Sequence, residues 1–222
     1  FDTLKQSMVG EQTLEPVQVA GFNQFFDDLE AASARSVGVG FDYHLSPQLH
    51  GGIERLIRDL EVPVGDPFSG ETFYTDWQER LLQAYLYWTP AADWALSLRY
   101  QRECFQRDMA NVGVENLLDL KTQRLTLATS YFYGSRFSSR VAATYTHQDG
   151  DFFDPSIPFQ TEGGDRFWVI DAALGLRLNR RSRLTLEALN LTNQRFNYQE
   201  MDANSPLFQP ERAVQAKFSV VF

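Results

Sequence analysis

Trp168-Val169-Ile170-Asp171-Ala172-Ala173-Leu174-Gly175-Leu176-Arg177-Leu178 is the stretch that decides the fold class. Its even positions are Trp, Ile, Ala, Leu, Leu and Leu. Its odd positions are Val, Asp, Ala, Gly and Arg. Successive side chains of a pleated strand point to opposite faces, so alternation this long needs a strand with a different solvent on each face. Trp94, Leu96, Leu98 and Tyr100 alternate in the same way with Ala95, Ser97, Arg99 and Gln101. So do Leu125, Leu127, Thr129, Tyr131 and Tyr133 with Arg124, Thr126, Ala128, Ser130 and Phe132. The helical template, apolar at i, i+3, i+4 and i+7, fits poorly almost everywhere.

Period two predicts strands near 15–26, 35–45, 48–58, 78–89, 93–103, 122–133, 137–148, 165–178, 183–196 and 211–222, with a partial strand at 1–8. Gly51, Gly52 and Arg55 blur the faces of the third. The connections alternate in length. Short ones fall near 45–48, 89–93, 134–136 and 179–182, and long ones near 27–34, 59–77, 103–121, 149–164 and 197–210. Transmembrane barrels have this asymmetry, with short periplasmic turns and longer extracellular loops. A Greek-key sandwich has no reason to keep it. The expected architecture is an all-β, antiparallel, up-and-down transmembrane β-barrel, with about 10–11 strands visible as part of a larger barrel.

Composition agrees. The 222 residues contain no apolar run near the roughly 18 residues that a membrane helix needs. The formal charge is −9 and the pI about 4.8, which argues against a nucleic-acid partner. Of the 29 acidic residues, 20 fall in or beside the five long connections, whereas the short turn at 179–183 carries Arg180, Arg181 and Arg183. One end of the molecule is therefore acidic and the other mildly basic. The single cysteine, Cys104, excludes an internal disulfide and reads as a small apolar residue.

The polar faces of the strands offer Arg99, Arg124, Arg140, Arg177 and Lys217 against Asp42, Glu54, Glu79, Asp171 and Glu187. These are the expected lumen charges, and their balance predicts no strong ion selectivity. The apolar faces end in Trp88, Trp94, Tyr100, Tyr131, Tyr133, Tyr145 and Trp168, the expected aromatic girdle at the lipid interface. Val214, Ala216, Phe218, Val220 and Phe222 alternate up to the terminal aromatic residue. Phe218, Val220 and Phe222 resemble the C-terminal signal read by the barrel-assembly machinery of bacterial outer membranes.

Two stretches carry a family resemblance. The first is Phe1-Asp2-Thr3-Leu4-Lys5, Gln12-Thr13-Leu14-Glu15-Pro16 and Val19-Ala20-Gly21-Phe22-Asn23-Gln24-Phe25. The second is Leu184-Thr185-Leu186-Glu187-Ala188-Leu189-Asn190-Leu191-Thr192-Asn193-Gln194-Arg195-Phe196, followed by Pro210-Glu211-Arg212. They resemble TonB-dependent receptors near a mid-barrel turn and at the penultimate strand. The nearest likeness is to the receptor-like barrels fused behind tetratricopeptide-repeat segments. The resemblance implies that residues 1–222 are the C-terminal part of an outer-membrane barrel domain. The N-terminal strands, plug, TonB box or repeats would lie outside this sequence, which is then a mature or truncated piece of something longer. It implies a transport conduit for a solute or polymer. The alternative is an anchoring barrel of a tetratricopeptide-repeat protein or an outer-membrane complex. The implied partners are membrane lipid and lipopolysaccharide, the barrel-assembly machinery, and the missing strands or other subunits that close the barrel.

Little points to site chemistry. His44 and His50 flank a short turn, but no cysteine or acid at ligand spacing joins them. Asp149, Asp151 and Asp154 support at most a weak, exposed calcium site, and no other cofactor is expected. His147 stands beside Asp149 and Asp151 near an outer rim, where a rim hydrolase would carry its base. No Gly-x-Ser-x-Gly elbow is present, and the expectation is that the chain is not an enzyme.

Overall fold

A computed structural model describes residues 12–19, 22–29, 32–65, 72–108, 118–153, 160–199, 207–208 and 211–220. The expected partial strand at 1–8 lies outside them. Thirteen strands are described: β1 (Gln12–Val19), β2 (Phe22–Leu29), β3 (Ser33–Ser46), β4 (Leu49–Gly65), β5 (Thr72–Ala91), β6 (Trp94–Arg107), β7 (Asp119–Tyr133), β8 (Phe137–Phe153), β9 (Gln160–Arg177), β10 (Ser182–Leu189), β11 (Tyr198–Gln199), β12 (Leu207–Phe208) and β13 (Ala213–Val220). Nine form one antiparallel sheet in the order β13-β10-β9-β8-β7-β6-β5-β4-β3, and β1–β2 and β11–β12 are separate pairs. From β3 to β10 each strand pairs with its sequence neighbour, so the topology is up-and-down. Among the described residues β3 and β13 do not pair with each other, and the sheet is open.

Register assigns every side chain to one of two faces. Leu98, Leu127, Ala143 and Ile170 follow one another across β6–β9 on one face; Arg99, Thr126, Thr144 and Val169 do so on the other. The first face is exposed and apolar, with Phe41 73% exposed, Leu127 54% and Leu174 47%. The second is closely packed: Glu54, Leu56, Arg58, Leu60 and Val62 alternate along β4 and are all buried. In a barrel wall the packed face is the interior one. We call the buried side inner and the apolar side outer.

The outer apolar band matches a bilayer. On β8 it runs from Phe137 to Tyr145. Those eight steps rise about 27 Å along the strand, or about 21 Å at a tilt of about 40°, close to the roughly 25 Å apolar band of outer-membrane barrels. Solvent on this side is hydrocarbon, and the backbone polar groups are satisfied within the ladder.

Several expected boundaries are corrected. The strand at 15–26 is a hairpin, because Val19 pairs with Phe22 and the direction reverses between them. The long connection expected at 59–77 is largely sheet: β4 runs on to Gly65 and β5 starts at Thr72. Above the bilayer the outer face turns polar while the inner face stays packed, with Leu60 and Val62 buried between the outward Asp59 and Glu61, so the ladder continues past the lipid-facing pattern. Many acids assigned to loops therefore stand on strands, among them Asp59, Glu61, Asp76, Asp149 and Asp151. The strand expected at 183–196 ends at Leu189, because Asn190 and Asn193 take left-handed φ values of 48° and 51°. Asparagine tolerates that region better than branched residues do.

Gly150, five residues beyond the apolar band of β8, has φ 135°, and a Cβ there would lie 2.3 Å from the Asp119 carbonyl oxygen. Gly150→Ala is expected to cost about 1–3 kcal/mol through backbone strain. The check is the urea midpoint of the folded, heat-modifiable gel band. An unchanged midpoint would show that β7 and β8 separate freely at this height.

Candidate functional site on the inner face

All ten charges expected on the polar strand faces stand on the inner face by register. The structure joins some of them. Arg58 Nη1 lies 2.6 Å from Glu79 Oε2, with the Arg58 side chain 2% exposed. Arg124 is 3.9 Å from Glu103. The Tyr85 hydroxyl donates to Asp42 across Gly52, where a Cβ would collide with both side chains. Gln215 donates to Glu187 at 2.9 Å, and Arg140 to Ser130 at 3.5 Å. Arg177 stands opposite Arg183, and Lys217 opposite Thr185. Arg99 sits in register between Tyr85 and Thr126. Sequence reasoning missed Arg58, Glu103 and Arg107. Arg58 falls at the end of the strand whose faces the two glycines blur.

A second layer covers part of this wall. After Leu189, Asn190 donates its backbone N–H to Asp171 Oδ1 at 2.8 Å. Its side-chain amide clamps Gln194 through two bonds of 2.9 Å. The turn sends the chain inward. Phe196 stacks on Phe167 with centroids 3.8 Å apart. The Asn197 N–H reaches Asp165 at 2.7 Å. The Tyr198 hydroxyl accepts from Arg124. Gln199 exchanges backbone bonds of 2.9 and 3.1 Å with the fully buried Gln148. The connection after β10, expected as an outer loop, thus lies against the inner faces of β7–β9 along residues 196–199. Asn190, Asn193 and Phe196 were visible in the sequence, but only as a family pattern.

Higher on the inner wall, the Arg107 guanidinium lies 3.9 Å over the Trp77 ring and 5.0 Å from Phe105. Burial pushes its pKa down to about 10, which leaves it charged at neutral pH. Trp77 meets Phe105 edge-on at 5.7 Å, and Phe105 packs on Leu120. An open hollow of about 810 Å³ beside this cluster is lined mostly by outer-face residues, among them the register row Arg35, Asp59, Gln78 and Gln106.

The other expected residues divide as follows. Trp88, Trp94, Tyr100, Tyr131, Tyr133, Tyr145 and Trp168 all stand on the outer face. Trp94 meets Tyr131 at 4.9 Å near the short turns, and Tyr145 meets Trp168 at 5.1 Å toward the other end. Phe218 and Val220 are on the outer face of β13; Phe222 lies outside the described residues. His44 and His50 are register partners with rings 5.6 Å apart. Among the described residues no group of three or more His, Cys, Asp or Glu could share a metal ion. Of the calcium candidates, Asp154 lies outside the described residues. Asp151 Oδ2 accepts the backbone N–H groups of Leu118 and Asp119 at 2.8 and 2.9 Å, tying β8 to the start of β7. His147, Asp149 and Asp151 project outward from β8, away from the inner wall.

No family model and no curated protein matches this sequence. Among solved structures, the chain is similar to outer-membrane expressed OmpT of Vibrio cholerae, with a TM-score of 0.50 and 10% identity over 85% of this chain. The chain spans about 55% of that structure's length. The expectation that the chain is not an enzyme is overturned by this likeness to an OmpT barrel and is withdrawn. Its main support was the missing Gly-x-Ser-x-Gly elbow. That elbow is a strand-to-helix turn of α/β hydrolases, and its absence from an all-β wall carries no weight against catalysis. The nine-stranded up-and-down sheet, its lipid-width apolar face and the likeness to OmpT together give this chain the fold of a bacterial outer-membrane β-barrel.

Proposed function

We propose that the chain forms part of the wall of a transport conduit through the bacterial outer membrane, with residues 190–199 as an internal constriction. The observation that carries this reading is the inward course of that segment, from Phe196 on Phe167 to Gln199 on Gln148. A barrel that only anchors other parts needs no second layer on its inner wall. The balanced inner charges fit a path that admits solutes without strong charge selection. The two open sheet edges and the 55% span of the matched structure support a barrel completed by further strands. The motifs at 12–25 and 184–196 support a finer reading, a receptor-like barrel resembling those of TonB-dependent receptors. Phe218 and Val220 on the outer face of β13 fit a strand offered to the assembly machinery.

Planar-bilayer conductance of the full-length protein tests the proposal. Tyr198→Phe combined with Gln148→Ala removes the hydroxyl that accepts from Arg124 and the side-chain amide that holds the Gln199 backbone, and larger unitary steps than wild type are expected. Steps of unchanged size, or no steps from either protein, would sink the constriction reading.

A further inference from the structure

The outer face changes character abruptly at one register row. Tyr100, Leu125, Tyr145 and Trp168 are register neighbours on β6–β9 and close the apolar band. Two residues further from the short turns, on the same face and the same strands, stand Arg102, Gln123, His147 and Arg166, again register neighbours. The step from aromatic to basic row is about 7 Å, and the basic row spans about 14 Å across four strands. Arg102 and Arg166 are exposed, and among the described residues no ion pair ties either to a carboxylate. Asp165, next in sequence to Arg166, faces inward and is bonded to Asn197.

This row is out of keeping with its surroundings. The end of the molecule beyond it is acidic, with Asp119, Asp149, Asp151 and Glu162 on the same face against Lys121, which is paired with Asp119. A basic strip confined between an apolar band and an acidic rim sits at the depth of lipid headgroups in the outer leaflet. Arginine forks match phosphate oxygens in a bidentate manner, and Gln123 and His147 add donors between them.

We propose that Arg102, Gln123, His147 and Arg166 form a binding site for the phosphorylated headgroup of lipopolysaccharide. The acyl chains lie on Leu98, Leu127 and Ile170, and Tyr145 and Trp168 stand at the ester level. The site rests on the outer-membrane barrel reading and is independent of the conduit reading.

The test uses the full-length barrel in mild detergent and rough lipopolysaccharide as probe, with retained lipid A measured after washing. Loss of two charge-assisted phosphate contacts in R102Q/R166Q is expected to lower retention by at least roughly tenfold. R140Q, on the inner face, is expected to retain the wild-type amount. Wild-type protein given dephosphorylated lipopolysaccharide is expected to behave like R102Q/R166Q, a comparison that does not depend on the variant folding. Equal retention of phosphorylated and dephosphorylated lipid would overturn the proposal. So would displacement by inorganic phosphate at matched concentration, which would mark a site for soluble anions. Bilayer conductance of R102Q/R166Q is expected at the wild-type value, so failure of the lipid site and failure of the conduit are read separately.

Discussion

Leu127→Arg is expected to cost about 2–4 kcal/mol of folding free energy in a bilayer, the usual penalty for a cation at mid-depth on the lipid face of a barrel. Leu127 is 54% exposed, six residues from the β7 turn end, and sits between Leu98 and Ala143 in register. Its register partners on that face, Leu98 and Ala143, cannot solvate a guanidinium. Thr126→Arg, one residue away, places the same charge on the inner wall. It is expected to cost about 1–2 kcal/mol, from loss of the Thr126–Thr144 hydrogen bond of 3.1 Å and repulsion by Arg99 opposite it. The measurement is urea-dependent folding into vesicles, followed by tryptophan emission and heat modifiability. Equal costs at the two positions would mean that both faces meet water, and the membrane reading would fall. The comparison is sharp because a one-residue step in a strand reverses the face.

The same reversal explains what was legible in the sequence. Within the bilayer each strand separates hydrocarbon from a polar interior, so Leu125 and Tyr145 announce their face and Arg124 and Thr144 announce the other. Beyond the bilayer the outer face turns polar and the contrast reverses, with Leu60 and Val62 inward and Asp59 and Glu61 outward on β4. Thr72-Phe73-Tyr74-Thr75 reads as loop although it pairs with Val62–Gly65. Alternation also passes through a tight turn without a mark, which hid the reversal between β1 and β2. Arg102 and His147 were visible as residues, but their common row exists only through cross-strand register, which period two does not supply. Asn190 was quoted as part of a motif, yet its role as the turn that starts the second inner layer depends on a left-handed φ and on Asp171 across the sheet.

Glu79→Leu is expected to cost about 3–5 kcal/mol, because it removes the carboxylate 2.6 Å from a guanidinium whose side chain is only 2% exposed. Arg58→Met combined with Glu79→Leu is expected to recover most of that loss, since two apolar side chains replace an ion pair that was expensive to desolvate. Folding free energies of the two single variants and the double variant, taken as a cycle, give the coupling directly. Under the conduit proposal, the result also bears on the path through the barrel. A strong coupling means that the inner wall between β4 and β5 is dry and packed, together with Leu56 and Leu60 on either side of Arg58. Water and solute would then pass along β6–β9, beside Arg99 and Arg124 and under the constriction at residues 196–199. A coupling below about 1 kcal/mol is what an ion pair shows in bulk solvent. The path would then reach β4, and Arg58 and Glu79 would become residues that a passing solute touches.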